Sequence, residues 1–304
     1  MIDKKRVTVV RSLILRLLVL LVGLACGGQV CAYDFKAETP DGVVIYYDIN
    51  GKDATVTSGD KEYAGDVKIP SKVEHAGVAY DITAIGQDAF FKCENLKSIF
   101  IPECVTSIGD RAFCGCNGLT ALSFNEGLKS IGYYAFSDCN KLTSIWIPAN
   151  ITNIQYGAFA ANSSLKEIVV DEKNKVYDSR EGCNAIIETS TNKLIEGCQT
   201  TRIPNSVTAI GYGAFSHCET LKSLVIPESV SSIGIHAFYS CNNLDTVVSM
   251  VKKPFSITSD VFYSIGKTAK LYVPEGTKKA YTSLEGWNSH FAEIIVNPST
   301  NSGL

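Results

Sequence analysis

Apolar residues in this chain recur in columns 23 residues apart. Phe90, Phe113, Phe136 and Phe159 each follow an alanine, and the register returns at Phe215 and Phe238, with a weaker copy at Phe262. Ile85, Ile108, Ile131, Ile154, Ile210 and Ile233 keep the same step, as do Leu96, Leu119, Leu142, Leu165, Leu221 and Leu244. A further column holds Cys93, Cys116, Cys139, Cys218 and Cys241, with Asn162 filling the gap. Several columns locked to one period are the mark of a repeat architecture, in which a unit buries its apolar edge only against its neighbours. Within one unit, Leu142 to Pro148 alternates apolar and outward positions and ends in proline, as a strand does where no further ladder donor is available. Ile151 to Ile154 reads as a short extended stretch, and Ala158-Phe159 as a single helical or 3₁₀ turn that seats the ring in the core. Stacked strands make a parallel sheet advancing roughly 4.8 Å per coil, so a stack of about seven or eight coils reaches roughly 40 Å.

The pattern breaks in three places. Phe159 and Phe215 are 56 residues apart, two periods plus ten. The extra residues include Cys183 to Glu188 and Lys193 to Cys198, two short apolar runs around the polar turn 189–192, which predicts a β-hairpin over about 183–198. A symmetric hairpin sets Cys183 opposite Cys198, so a disulfide there and two separate thiols both stay open. Residues 33–80 lack the repeat, and Val43 to Tyr47 followed by a turn near Asn50-Gly51 predicts a β-hairpin that covers the first coil. After the strand-like Leu271 to Pro274, Lys278 to Trp287 predicts a small helix with an aromatic plug, then a mobile tail from 297 to 304. The expected layout is therefore a leader over 1–32, an N-terminal β cap over 33–80, repeats over 81–275, and a C-terminal cap and tail over 276–304.

Ile101 to Leu119 spells Ile-Pro-x-x-Val-Thr-x-Ile-Gly-x-x-Ala-Phe-x-x-Cys-x-x-Leu. That motif resembles the BspA-like leucine-rich repeat of bacterial surface proteins, and the resemblance covers roughly residues 65–296. It implies a right-handed solenoid with a parallel β-sheet on one face and short helical or 3₁₀ turns on the other. Some members of that family are surface adhesins that bind host extracellular proteins, while many have no known ligand. The family carries no catalytic signature, so the resemblance implies a fold and a broad role.

The leader changes the compartment. Lys4, Lys5, Arg6 and Arg11 precede the apolar run Leu17 to Ala25, a basic flank and short core that read as a secretory signal peptide. The run falls short of the roughly 20 apolar residues a membrane span needs. Val30-Cys31-Ala32 places the cut after Ala32, while cleavage before Cys26 would make a lipoprotein from a poor lipobox, Gly23-Leu24-Ala25-Cys26. Removing residues 1–32 leaves 23 basic against 30 acidic side chains and a net charge of −7. An acidic chain argues against nucleic acid, which selects basic surfaces. No second apolar run of spanning length follows, so the mature chain is expected to be exported without a transmembrane segment.

Candidate chemistry is sparse. His75, His217, His236 and His290 show no metal-binding spacing, and a zinc site needs about four ligands. His217 and His236 are placed outside the coils, near enough to meet across adjacent turns. The nine cysteines left after cleavage read as structural thiols, five of them in the repeat column and Cys104 and Cys114 off it. There is no nucleophile elbow, phosphate loop or Gly-x-Gly-x-x-Gly, so no enzyme, cofactor or metal is expected. The strand offers more. In Leu-x-x-Ile-x-Ile the last x points away from the core, and coil by coil it reads Phe100, Ser123, Trp146, Val169, Arg202, Val225, Val248 and Tyr272. Two residues earlier stand the smaller Ser98, Ala121, Ser144, Ser223 and Thr246, with Glu167 among them. Large apolar groups over a low floor suit an interface, although strand preference alone also puts such residues there. The expectation is an interaction or adhesion module for an extracellular protein, with a glycan-binding accessory protein as the alternative and an enzyme of unrecognised type as a distant third.

Overall fold

The structure is a computed structural model described over residues 33–297; residues 1–32, where a leader is expected, and residues 298–304 lie outside the described residues. Each repeat contributes to two parallel sheets and one line of turns. The Leu-x-x-Ile-x-Ile stretches form the first sheet face, including Leu96–Phe100, Ser144–Ile147, Glu167–Val170, Ser223–Ile226, Thr246–Ser249 and Lys270–Val273. Ser144 pairs with Glu167 and Ile147 with Val170, while Ser223 pairs with Thr246. Partners stand one period apart, so a column in the sequence is a ladder of touching residues in space. Side chains alternate as a pleat demands: Ile145 and Ile147 are buried, Ser144 and Trp146 exposed. The second face is built from two-residue strands that end on the isoleucine column, such as Ser107–Ile108, Ser130–Ile131 and Asn153–Ile154. The stack has about nine turns, more than the repeat columns alone suggest. Both ends add rungs: Gly65–Lys68 pairs in parallel with Leu96–Phe100, and Glu293–Val296 with Lys270–Val273.

The turn side departs from expectation. Among the described coils only Ser259–Phe262 forms a 3₁₀ turn at the phenylalanine; the others are non-helical turns. The amides explain this. A helix needs its N–H groups for its own preceding carbonyls, but here the Phe90 N–H donates to Ala112 O of the next coil at 2.7 Å, Phe113 to Ala135 at 2.7 Å and Phe136 to Ala158 at 2.8 Å. The residue before each alanine and the residue before each column cysteine also take positive φ, as at Asp88 (55°) and Lys92 (56°). Left-handed residues twice per turn forbid a helix.

Inside, the phenylalanine rings stack at the spacing of the sheet. Centroids are 4.7 Å apart for Phe90 and Phe113, 4.9 Å for Phe113 and Phe136, and 5.6 Å for Phe136 and Phe159, with planes within about ten degrees. The cysteine column does more than fill space. The Cys116, Cys139 and Cys241 thiols donate to the carbonyls of Phe90, Phe113 and Phe215 in the coil behind, at 3.1–3.2 Å. Asn162 takes the same position and the same job: its Nδ2 donates to Phe136 O at 3.0 Å and Phe159 O at 2.7 Å, and its Oδ1 accepts the Cys139 N–H at 2.7 Å. Asn162→Leu is therefore expected to lower stability by about 2 kcal/mol or more by orphaning buried polar groups, measured by thermal unfolding; an unchanged midpoint would show the bonds to be dispensable.

Toward the N-terminus, Phe35–Glu38, Val44–Asn50 and Asp53–Thr57 form an antiparallel meander whose last strand pairs in parallel with Val78–Ile85. Tyr63 packs its ring 4.4 Å from Phe90, and its hydroxyl donates to Thr57 O. At the other end, the short helices Lys278–Thr282 and Glu285–Asn288 bury Tyr281 and Trp287 completely. Trp287 packs 5.7 Å from Phe262 and donates its indole N–H to Phe255 O at 2.7 Å.

The interruption is the most informative part of the fold. Ala185–Glu188 and Lys193–Gly197 form an antiparallel hairpin, and Lys193-Leu194 continues in parallel onto Ala209-Ile210. The symmetric register holds for Glu188↔Lys193 and Ile187↔Leu194, then a bulge shifts it to Ile186↔Glu196 and Ala185↔Gly197. Cys183 and Cys198 thereby lose the opposed placement a symmetric hairpin would give them. Both are free buried thiols, and they belong to different hydrophobic clusters, Cys198 to the one reaching back to Phe35 and Cys183 to the one running on to Ile294.

Candidate binding surface

The first sheet face carries the candidate residues, and the structure divides them. Of the apolar candidates Phe100 is the most exposed, at 60%, followed by Val225 at 53%. Trp146 and Val169 are exposed direct neighbours on paired strands. Val225, Val248 and Tyr272 form a second run, with Tyr272 half-buried, and Ile295 extends it past the last repeat recognised in the sequence. Arg202 is exposed but stands outside any strand, its backbone N–H donating to Cys183 O. The line is therefore two apolar segments separated by the interruption, not one continuous strip. The floor beside it starts small, with Ser98 opposite Ala121. It ends charged, where Lys270 and Glu293 pair at 3.7 Å.

A second aromatic surface lies on the turn side, which the sequence reading missed. Tyr134 and Tyr156 meet edge to face at 5.0 Å, Tyr156 and Tyr212 at 4.1 Å, and Tyr239 stacks on Tyr263 at 5.5 Å. His236 joins the series, its ring 5.4 Å from Tyr212 and 5.0 Å from Tyr239. The signal was present: Tyr134, Tyr156 and Tyr212 come two or three residues after the column isoleucines Ile131, Ile154 and Ile210, and Tyr239 and Tyr263 follow the column phenylalanines. His217 and His236 both touch Tyr239 from the coil exterior. Among the described residues no group of three metal-binding side chains gathers.

Thiol chemistry is suppressed by burial. Desolvation pushes the Cys93 thiol up to about 11 and Cys218 up to about 12, and holds Cys116, Cys139 and Cys241 well above the ordinary range. Burial keeps these thiols protonated, and the Cys116, Cys139 and Cys241 protons are also held by carbonyl oxygens. Cys104 and Cys114 are half-buried, and desolvation raises them as well.

The hairpin alters the turn side too. Ala161 N–H donates to Ser216 O, so the coils on either side of the hairpin meet directly there. Two residues earlier, Gly197 wedges in: its N–H takes Ala214 O at 2.8 Å, the carbonyl that Phe159 would have used. Gly197 also lies against the Phe215 ring, where a Cβ would stand only 2.3 Å from the nearest ring atom, so only glycine fits. Phe159 N–H is served instead by the carboxyl of Glu196, at 3.4 Å. Glu196 is buried, and desolvation lifts its pKa to about 8, against a smaller downward pull from that N–H. Cavities flank this joint, one of ≈ 210 Å³ reaching Tyr156 and Tyr212 and one of ≈ 470 Å³ reaching Tyr134, Asp138 and His217.

No match is found among curated proteins. Solved structures give low-identity resemblances. One is a leucine rich cell surface protein of Faecalibacterium prausnitzii, 20% identical, covering 89% of this chain and 99% of that one, with a TM-score of 0.42. Another is a leucine-rich repeat protein of Bacteroides ovatus, 24% identical, covering 87% and 77%, with a TM-score of 0.45. A leucine-rich repeat protein of Eubacterium ventriosum is 19% identical over 83% and 82%, with a TM-score of 0.47. Among the described residues no helix is long and apolar enough to cross a membrane. The sequence profile of the BspA type leucine rich repeat region matches residues 83–191 and 185–285, as six copies, and with that match over most of the chain, on coils whose columns are seen to stack, the protein belongs to the BspA-type leucine-rich-repeat family.

Proposed function

We propose that this chain is an exported interaction module that holds an extracellular protein on its first sheet face. The observation that supports this is the Trp146–Val169 pair, exposed on adjacent rungs beside Ser144 and Glu167. An exposed tryptophan next to small and polar neighbours is the composition of an interface anchor, where a few aromatic residues carry most of the affinity. The acidic mature charge favours a partner with basic patches.

The test is a panel of extracellular-matrix proteins and glycans presented to residues 33–304. Saturable binding to one protein, weakened about thirtyfold or more by Trp146→Ala, corresponds to about 2 kcal/mol and supports the reading. Phe100→Ala is expected to weaken it less, because Phe100 stands two coils before Trp146, with Ser123 on the coil between. Binding indifferent to both substitutions would remove the sheet face from the account. Export carries its own check: the secreted chain should begin at Tyr33, whereas a lipid-modified N-terminus at Cys26 would place the protein on a membrane anchor instead.

A further inference from the structure

A cleft opens where the hairpin interrupts the coils. Tyr156 and Tyr212 come from turns separated by the whole hairpin, yet their rings touch at 84°, forming a right-angled corner. The corner is built. Gly213 has φ 55°, and a Cβ there would stand 2.4 Å from the Tyr156 ring, so a glycine is what lets that ring seat. The Tyr212 hydroxyl is held to His236 Nδ1 at 2.9 Å. Polar side chains complete the wall: Gln155 from the turn before the hairpin, and Glu188 and Lys193, which pair across it. Glu196 lies deeper, where burial favours its neutral form.

The lining selects a chemistry. Glu188 and Lys193 bring one charge of each sign to the lining, so neither an anion nor a cation is favoured. Donors and acceptors are both present beside two aromatic rings. A neutral sugar ring matches this, since its C–H face packs on an aromatic ring while its hydroxyls both give and accept hydrogen bonds. The cavity of ≈ 210 Å³ equals about seven waters at roughly 30 Å³ each. It lies below the roughly 300 Å³ at which pockets for drug-sized molecules begin, which suits one ring.

We propose that this cleft binds a single residue of a neutral saccharide, with Tyr156 and Tyr212 as the platform and Gln155, Glu188 and Lys193 as partners for its hydroxyls. The site is independent of the sheet face, because Trp146 lies on the other sheet. The test titrates residues 33–304 with glucose, galactose, mannose, N-acetylglucosamine and their linear trimers, by calorimetry and ligand-observed NMR. Saturable binding of at least one probe at millimolar concentration or below is expected, weakened about tenfold or more by Tyr212→Ala and by Glu188→Gln, and unchanged by Trp146→Ala. Tyr212 and Glu188 are not core residues, so circular dichroism should show both variants folded. No binding by any probe at millimolar concentration, binding that survives Tyr212→Ala in the folded variant, or binding lost on Trp146→Ala would overturn the proposal.

Discussion

Phe136→Ala is expected to destabilise the protein by about 3–5 kcal/mol, the range for removing a fully buried aromatic ring. Phe136 is wholly buried and stacked on both sides, at 4.9 Å from Phe113 and 5.6 Å from Phe159, with Phe124 edge-on at 5.4 Å. The loss should exceed a simple transfer term because a solenoid has no second route between coils. Each turn is stabilised only through its neighbours, so a void in the middle weakens both interfaces at once. The urea midpoint of residues 33–304 checks this. Because the buried residues divide into two clusters that meet at the hairpin, the destabilisation should show first in amide exchange of the coils before the hairpin. A change below about 1 kcal/mol would mean that neighbouring coils close the gap.

The second large effect is on pH dependence and comes from Glu196. Its folded-state pKa is raised from the ordinary carboxylate value of 4.5 to about 8, chiefly by burial. Between those two values the folded chain keeps a proton that the unfolded chain has released. Protons are therefore taken up on folding, and stability falls as pH rises, by up to about 1.4 kcal/mol per pH unit. The contribution is fully present below about 4.5, declines across the window, and is gone once pH passes about 8. Glu196→Gln keeps an oxygen for the Phe159 N–H but cannot ionise. Its unfolding free energy should match the wild type near pH 4.5 and exceed it by several kcal/mol at pH 8. Parallel curves for the two proteins between pH 5 and 8 would show that water reaches the carboxyl and that the joint is looser than the bonds around Gly197 suggest.

The joint also shows where reading residues stops being enough. The hairpin was visible, because two apolar runs around a polar turn have few other solutions. The bulge was not: Ile195 is the residue left unpaired between Leu194 and Glu196, and nothing in that apolar run marks it. That one-residue slip removes the opposition of Cys183 and Cys198 and sets Glu196 opposite Ile186. Read by type alone, Glu196 passes for a surface acid; only the loss of Ala214 O to Gly197 makes its carboxyl the partner of a buried amide.

The sheet face was legible in a different way. Alternation identified Phe100, Trp146, Val169 and Val225 as outward-facing, and all four are exposed. The same rule placed Arg202 on the strip by its count from the column, but the insertion spends its residues on the hairpin and leaves no strand there.

The sequence by itself determined the period, the columns, the alternation within strands and hence a stacked solenoid, because a 23-residue unit cannot bury its own apolar edge and only in-register neighbours can do it for every column at once. What only the tertiary structure decided are the features set by contacts between distant turns. These are the non-helical turns, whose amides are claimed by the next coil, and the thiol donors to the phenylalanine carbonyls behind them. They include the Tyr156–Tyr212 corner and the buried Glu196, which exist because a hairpin stands where a coil was due. Hydrogen bonding in a solenoid runs across the period, so its partners are fixed by which coil follows in space, and at the interruption that is not the coil a sequence count would choose.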